Sequence, residues 1–127
     1  MLGDKPVAPT IPVTDLAKAK AFYQGKLGLS LEKEMPAGIT FKAGGNTYLY
    51  LYKRGQSTAD HTLASFLVED IEAAVNELSA KGIVFEQYDF PGFKTNEKGI
   101  AVMGDEGEKG AWFKDPDGNI LAIGEEL

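Results

Sequence analysis

Two segments of the chain place hydrophobic residues at the three- and four-residue spacing of an amphipathic helix. The first segment does so with Leu16, Ala19, Tyr23 and Leu27, and the second with Ile71, Ala74, Val75 and Leu78. An Asp precedes each segment and a Gly follows it, which is the order typical of a helix N-cap and a helix stop. The pattern therefore predicts two helices, each with one apolar stripe that packs on a sheet.

The two predicted helices lie in two copies of one longer pattern. VTDLAKAKAFYQGKLGLSLE, which starts at Val13, aligns with VEDIEAAVNELSAKGIVFE, which starts at Val68. The alignment needs a slip of one residue before Gly28 of the first copy and Gly82 of the second. Each copy begins with a strand, continues through a capped helix and ends in another strand. Such self-similarity indicates a duplicated supersecondary unit.

The repeat continues into a pair of hairpins. GITFKAGGNTYLYL from Gly38 superposes without gaps on GAWFKDPDGNILAI from Gly110. The complete unit is therefore a βαβββ module, present over about residues 5–55 and again over about residues 61–127, within a single domain of residues 1–127. The second copy carries an insertion over residues 86–108, rich in Gly and charge, which predicts one or two strands and a mobile loop.

The turn in the second hairpin has a specific residue pattern. Asp115, Pro116 and Gly118 suit the first, second and fourth positions of a type I turn. A calcium-binding loop is the alternative, with Glu126 as its last ligand, but Ile120 stands where that loop requires Gly. The sequence therefore favours a tight hairpin connection.

Strand alternation sorts the side chains of both modules by face. The helix side is predicted to hold Leu49, Leu51, Leu121 and Ile123. The opposite face is predicted to hold Tyr48, Tyr50, Tyr52, His61, Leu63, Ser65, Ile120 and Ala122. Three tyrosines, an imidazole and a hydroxyl among small side chains suit a flat or aromatic organic ligand. The alternative for YLYLY is a strand whose aromatic residues only pair across the sheet.

Composition and charge limit the classes of molecule that the protein is expected to bind. The 127 residues are 43% hydrophobic and 25% charged, as in an ordinary globular domain. The net charge of −6 and the single arginine, Arg54, argue against nucleic acid and would favour a cationic small molecule. There is no Cys, no run long enough to span a membrane and no secretory leader pattern, so a cytoplasmic protein without a membrane partner is expected.

The duplicated unit, with V-x-D-[LI] before each helix and FKDPDGNIL before the final strand, resembles the vicinal oxygen chelate superfamily. That superfamily includes glyoxalase I, extradiol dioxygenases, fosfomycin-resistance enzymes and bleomycin-resistance proteins. The resemblance covers nearly the whole chain. It implies an α+β fold in which two tandem βαβββ modules form curved, mixed or antiparallel sheets around a cleft, with the helices outside. It also implies a homodimer.

The resemblance places a divalent metal in catalytic relatives at an inward residue of each module's first and last strands. Carried onto this sequence, those positions are Ala8, Tyr50, Leu63 and Ala122. None of these side chains is a usual zinc, iron or nickel ligand, and the chain contains one His and no Cys. No metal or other cofactor is therefore expected, and a binding protein is favoured over an enzyme.

The sequence leaves three hypotheses for function. The favoured one is a metal-free binding protein that sequesters a cationic or aromatic compound through Tyr48, Tyr50, Tyr52, His61, Leu63, Ser65, Trp112 and Ala122. The second is a divalent-metal-dependent glyoxalase-like lyase, isomerase or dioxygenase. The third is a non-catalytic interaction or regulatory module. Tyr88, Phe90 and Phe93 in the insertion would form a lid over the ligand or cover a sheet edge.

Overall fold

The computed structural model describes residues 1–104 and 106–125. Within it the chain divides into two compact units, Met1–Ala59 and Asp60–Leu127. Each unit contains one four-stranded sheet and one long helical segment. Asp105 of the insertion and Glu126 of the hypothetical calcium loop lie outside the described residues.

Unit one has the element order expected of a βαβββ module. Its elements are β1 (Thr10–Val13), α1 (Leu16–Lys20) continuing as a π-helix (Ala21–Lys26), β2 (Ser30–Met35), β3 (Gly38–Lys42) and β4 (Tyr48–Lys53). The strands are ordered β1-β4-β3-β2, and β1 is parallel to β4 while the other neighbours are antiparallel.

Unit two repeats this plan and adds a small hairpin. Its elements are β5 (Thr62–Val68), α2 (Ile71–Ala80), β6 (Asp89–Phe90), β7 (Phe93–Lys94), β8 (Ile100–Val102), β9 (Lys109–Lys114) and β10 (Ile120–Glu125). The main sheet is ordered β5-β10-β9-β8, and β6 pairs only with β7. The predicted α+β class with two βαβββ modules is therefore confirmed. Residues 86–108, for which the sequence predicted one or two strands, contain the added hairpin β6–β7 and also β8, which takes the sheet position of β2.

Both helices begin and end as their sequences indicate. The Asp15 carboxylate accepts a hydrogen bond from the Lys18 amide at 3.1 Å, and Asp70 accepts one from the Ala73 amide at 3.1 Å. Each bond satisfies an N–H group that the first helical turn leaves without a partner. Beyond the two helices, Gly28 and Gly82 have positive φ angles of 76° and 92°, which glycine adopts without steric cost.

The one-residue slip between the copies has a structural cause in the first helix. Its second half, Ala21–Lys26, is a π-helix, and the Leu27 amide donates to the Phe22 carbonyl five residues earlier at 3.1 Å. A π-turn contains one more residue than an α-turn. The extra residue is thereby accommodated within the helix, and the segments that follow keep equivalent pairings, Leu31 with Phe41 in unit one and Phe85 with Phe113 in unit two.

Each unit has a hydrophobic core between its helix and one face of its sheet. In unit one, Tyr23 of the helix stacks on Phe41 of β3 with ring centroids 6.2 Å apart. In unit two, Phe85 packs edge-on against Phe113 of β9 at 5.6 Å. The four aliphatic residues predicted to face the helices, Leu49, Leu51, Leu121 and Ile123, are all buried.

The expected turn in the last hairpin is present. The Gly118 amide donates to the Asp115 carbonyl at 3.0 Å, which is the closing bond of a β-turn. The buried Asp115 carboxylate accepts hydrogen bonds at 2.9 Å from the Asp117 amide, the Asn119 amide and the Asn119 side chain. Asp115 therefore serves the turn itself, as an Asx-type residue does.

Candidate functional site

In unit one, three tyrosines lie on the face of the sheet that the helix does not cover, which we call the helix-free face. Tyr48, Tyr50 and Tyr52 alternate along β4 with buried leucines and are themselves half-buried. Tyr50 is flanked in register by Thr10 of β1 and Thr40 of β3. This face therefore presents phenol rings with hydroxyl-bearing neighbours, which can stack on a ligand and form hydrogen bonds to it.

The rings of Tyr50 and Tyr52 form an aromatic pair on this face. Their centroids are 6.5 Å apart and their planes differ by 4°. The Tyr50 ring leans over Gly38 at the start of β3, because a Cβ atom at that glycine would lie 2.7 Å from Tyr50 Cζ. The aromatic surface thus depends on a neighbouring position without a side chain.

In unit two, the corresponding helix-free face is built around Ala122. Ala122 of β10 pairs with Ser65 of β5 on one side and with Trp112 of β9 on the other. Ala122 is only 6% exposed, and Trp112 is half-buried. The structure therefore brings together three of the predicted site residues across three adjacent strands.

An aromatic cluster formed by the insertion lies against Trp112. Tyr88 and Phe93 pack edge-on against the Trp112 ring, with centroid distances of 5.8 and 5.3 Å. Phe90 contacts both Tyr88 and Phe93 and is 59% exposed. The sequence had singled out these three insertion residues as a lid or an edge cover, and their contact with the single tryptophan was not foreseeable from the sequence.

The hairpin that carries this cluster is held at its base. The Glu86 amide donates to the Trp112 carbonyl at 2.8 Å, and the Glu86 carboxylate lies 3.4 Å from the Lys114 ammonium. The buried Thr95 hydroxyl accepts a bond from the Tyr88 amide at 2.9 Å and lies 3.1 Å from Gln87 Oε1, to which it can donate. These contacts tie the hairpin to the strand that bears Trp112.

Tyr88 is the one residue of the cluster with a displaced ionisation. Burial raises the pKa of its phenol above 10.0, the Glu86 carboxylate raises it further, and the Lys114 ammonium opposes the shift. A desolvated phenol resists becoming a phenolate, since the charged form loses more hydration. Tyr88 is therefore a neutral aromatic residue with a hydroxyl group at neutral pH.

Of the remaining predicted residues, Leu63 lies at an irregularity of β5. Ile120 pairs with Thr62 and Leu121 with Ala64, so Leu63 is the extra residue of a bulge. The alternation that placed His61, Leu63 and Ser65 on one face is interrupted there, because a bulge shifts the facing of the residues that precede it. His61 precedes β5 and is exposed.

The positions that the family resemblance assigns to a metal do not fit one. Ala8, Leu63 and Ala122 have no donor atom in their side chains. Ala8 is exposed and precedes β1, where Thr10 and not Ala8 is the register partner of Tyr50. Across residues 1–104 and 106–125, no three His, Cys, Asp or Glu side chains come together in a way that could hold a metal ion.

A cavity of about 410 Å³ in unit two lies apart from the predicted residues. It is bordered by Glu72 of α2, by Lys94 of β7 with Thr95 and Asn96 after it, by Ile100 and Val102 of β8, and by Lys109 of β9. None of the eight residues predicted to bind a ligand lines it.

No helix in the described part of the chain is long and apolar enough to cross a membrane.

Two βαβββ modules, each with a mixed four-stranded sheet and one helical segment, define the structural class of the protein. Residues 6–123 match the model of the Glyoxalase/Bleomycin resistance protein/Dioxygenase superfamily. The chain belongs to this superfamily. A sequence comparison with curated proteins finds no match.

Solved structures share the fold at low sequence identity. Lactoylglutathione lyase from Agrobacterium tumefaciens is 21% identical, with a TM-score of 0.71 over 96% of this chain and 93% of that one. Fosfomycin resistance protein FosX from Mesorhizobium loti is 12% identical, with a TM-score of 0.67 over 98% and 93%. TnmS3, an antibiotic-binding protein from a Streptomyces species, is 21% identical, with a TM-score of 0.66 over 98% of both chains. At these identities the similarity shows the fold alone.

Proposed function

We propose that this protein is a metal-free small-molecule-binding protein that sequesters a planar aromatic compound, preferentially a cationic one. The observation that carries the proposal is the composition of the two helix-free faces. Where the family resemblance would place metal ligands, the side chains lack donors or are aromatic, and rings lie beside them. The proposed contact residues are Tyr48, Tyr50, Tyr52, His61, Leu63, Ser65, Trp112 and Ala122.

Aromatic chemistry supports a planar ligand. Rings such as those of Tyr50 and Trp112 offer large apolar surfaces on which another ring can stack. The small side chain of Ala122 leaves space beside Trp112 on the same face. A ligand held in this way needs few polar contacts, which Ser65 and the tyrosine hydroxyls can supply.

Charge supports a cation. The chain carries a net charge of −6, which raises the local concentration of positively charged solutes. The faces of tyrosine and tryptophan rings also attract cations, by about 0.5–2 kcal/mol for each contact. The net negative charge and the cation–ring attraction would both strengthen the binding of a planar cation. A planar anion would be bound by stacking alone.

The similarity to known proteins supports this class of function without identifying the ligand. One structure with the same fold is described as an antibiotic-binding protein and another as a fosfomycin resistance protein. We further propose that the protein is a single cytoplasmic domain that acts as a homodimer. Strands β1 and β5 each lie at the edge of a sheet, where another chain can add by strand pairing.

A dye titration tests the proposal. We expect proflavine, a planar cation, to bind more tightly than 1-anilinonaphthalene-8-sulfonate, an aromatic anion. Tyr50→Ala should weaken proflavine binding about tenfold, since it removes one stacking partner. Val84→Ala is the matched control, because Val84 is 79% exposed and none of the proposed contacts involves it. Equal affinity of Tyr50→Ala and the native chain would contradict the proposed site.

Native mass spectrometry of protein purified from its own host, without added metal or chelator, tests the metal-free assignment. A dimer that carries an organic mass and loses it on denaturation would support the proposal. A stoichiometric divalent metal would overturn it in favour of the metal-dependent alternative.

A further inference from the structure

Two glycines occupy equivalent positions in the two modules, and each lies beside an aromatic side chain of a helix-free face. Gly38 opens β3 and Gly110 lies near the start of β9, and the two superpose in the sequence repeat. Neither has a positive φ angle, so the backbone conformation does not require glycine at either position. The reason for glycine must therefore lie in what surrounds the missing side chain.

At Gly38 the space is occupied by Tyr50. A Cβ atom there would lie 2.7 Å from Tyr50 Cζ and 2.9 Å from the Leu51 carbonyl oxygen, both closer than real Cβ contacts. Tyr50 is the register partner of Thr40, and Gly38 is the register partner of Tyr52. The Tyr50 ring therefore does not stand upright over its own partner but leans along the sheet towards the next pair.

At Gly110 the space is occupied first by the end of the Met103 side chain and next by the Trp112 ring. A Cβ atom there would lie 3.1 Å from Trp112 Cη2, the far end of the indole, and 2.8 Å from Met103 Cε. Since Trp112 is two residues further along the same strand, its ring must fold back over Gly110. The aromatic side chain again leans along the sheet, as Tyr50 does in unit one.

We propose that Gly38 and Gly110 are positioning residues that set the orientation of Tyr50 and Trp112 on the helix-free faces. With no Cβ in the way, each ring lies back over the glycine and along its sheet. This orientation selects planar ligands over bulky ones, because only a flat group can contact the whole ring. The inference deepens the proposed function and rests on it where ligand selection is concerned.

The experiment compares Gly38→Ala and Gly110→Ala with Gly124→Ala as the matched control. Gly124 lies in β10 as the register partner of Gly110, and a Cβ there would meet only Leu67 Cδ2 at an ordinary 3.6 Å. The probes are proflavine, which is planar, and benzyltrimethylammonium, which has the same charge and a bulky head. We expect Gly38→Ala to lower the preference for proflavine about fivefold or more, and Gly124→Ala to leave it unchanged.

Two readouts that need no ligand separate this inference from the proposed function. Trp112 is the only tryptophan, so its fluorescence emission should shift in Gly110→Ala and stay unchanged in Gly38→Ala and Gly124→Ala. In unit one, Gly38→Ala should lower the melting temperature less in a Tyr50→Ala background than in the native chain, since the clash with the ring is gone.

The outcomes are distinguishable. If neither probe binds the native chain, the proposed function fails, and the fluorescence shift and the Gly38–Tyr50 coupling still decide the positioning role. Unchanged emission in Gly110→Ala, or strictly additive effects of Gly38→Ala and Tyr50→Ala, would overturn the positioning role. A preference for proflavine that is unaltered in Gly38→Ala would overturn the role in ligand selection.

Discussion

The two modules share one plan and differ in what lies on their helix-free faces. In unit one the rings of Tyr50 and Tyr52 pair on the sheet, and the helical segment leads to β2 through only a few residues. In unit two the chain between α2 and β8 is long enough to form the β6–β7 hairpin, which packs Tyr88 and Phe93 edge-on against Trp112. Duplication therefore conserved the frame, while an insertion in one copy changed the chemistry of its face.

The turns of the two last hairpins show the same divergence at residue level. In both, the residue before the turn donates its amide to a carbonyl four residues later, from Ala43 to Thr47 at 2.9 Å and from Asp115 to Asn119 at 3.0 Å. Unit two strengthens its turn with the Asp115 carboxylate, for which Ala43 has no equivalent. The two hairpins therefore share this backbone bond but differ in the turn itself. In unit one the Thr47 amide and hydroxyl both donate to the Gly44 carbonyl, whereas in unit two the Gly118 amide donates to the Asp115 carbonyl.

Truncation of the core should have the largest effect and should affect both modules alike. Phe41→Ala and Phe113→Ala remove equivalent rings, each almost completely buried. We expect each to lower the free energy of unfolding by about 3–5 kcal/mol, because a cavity remains where the ring was. Chemical denaturation measures the loss. A loss below about 1 kcal/mol for either variant would show that its module does not depend on the core seen here.

Removal of the Asp115 side chain from the last turn should destabilise unit two, and unit one has no equivalent side chain to remove. Asp115→Ala removes an acceptor of three hydrogen bonds within unit two. We expect a loss of about 1–3 kcal/mol in the free energy of unfolding, because buried donors lose their partner. Asp115→Asn keeps one carboxamide oxygen as an acceptor, so it should lower the free energy of unfolding by less than Asp115→Ala does. Equal losses for the two variants would argue against a hydrogen-bonding role for the side chain.

Removal of a helix cap should cost less and should again test the equivalence of the two units. Asp15→Ala and Asp70→Ala each remove one cap, and we expect each to lower the free energy of unfolding by about 1 kcal/mol. Asp15→Ser and Asp70→Ser retain an acceptor and should restore most of the loss in the same denaturation experiment. If only one of the two variants lowered the free energy of unfolding markedly, the two caps would not be equivalent.

The smallest expected effect is the pH dependence contributed by the hairpin of unit two. The pKa of Tyr88 is raised in the folded chain, so its contribution to stability is complete below its unfolded pKa of 10.0 and is lost as the pH rises through the folded value. In urea denaturation from about pH 8 to about pH 11, Tyr88→Phe should lose less stability than the native chain. If the free energy of unfolding depended on pH in the same way in both proteins, the raised pKa of Tyr88 would be contradicted.

Much of the frame could be predicted because it depends on local chemistry. The Asp caps, the helical stripes and the leucines of β4 follow from the spacing of apolar residues and from capping preferences, and the structure has them where the repeat placed them. The one-residue slip was visible in the alignment, but the π-helix that absorbs it was not. Sequence spacing shows that a residue is extra without showing which element accommodates it.

The duplicated βαβββ plan, the aromatic strand YLYLY and the lack of usual metal ligands at the positions carried over from the family can all be read from the sequence. Which rings come into contact depends on how strands and loops pack. The bulge at Leu63 interrupts the alternation that sequence reasoning extended to His61, and the hairpin brings Tyr88 and Phe93 onto Trp112. Alternation is a local property of one strand, whereas register, bulges and the space above Gly38 arise from contacts between strands.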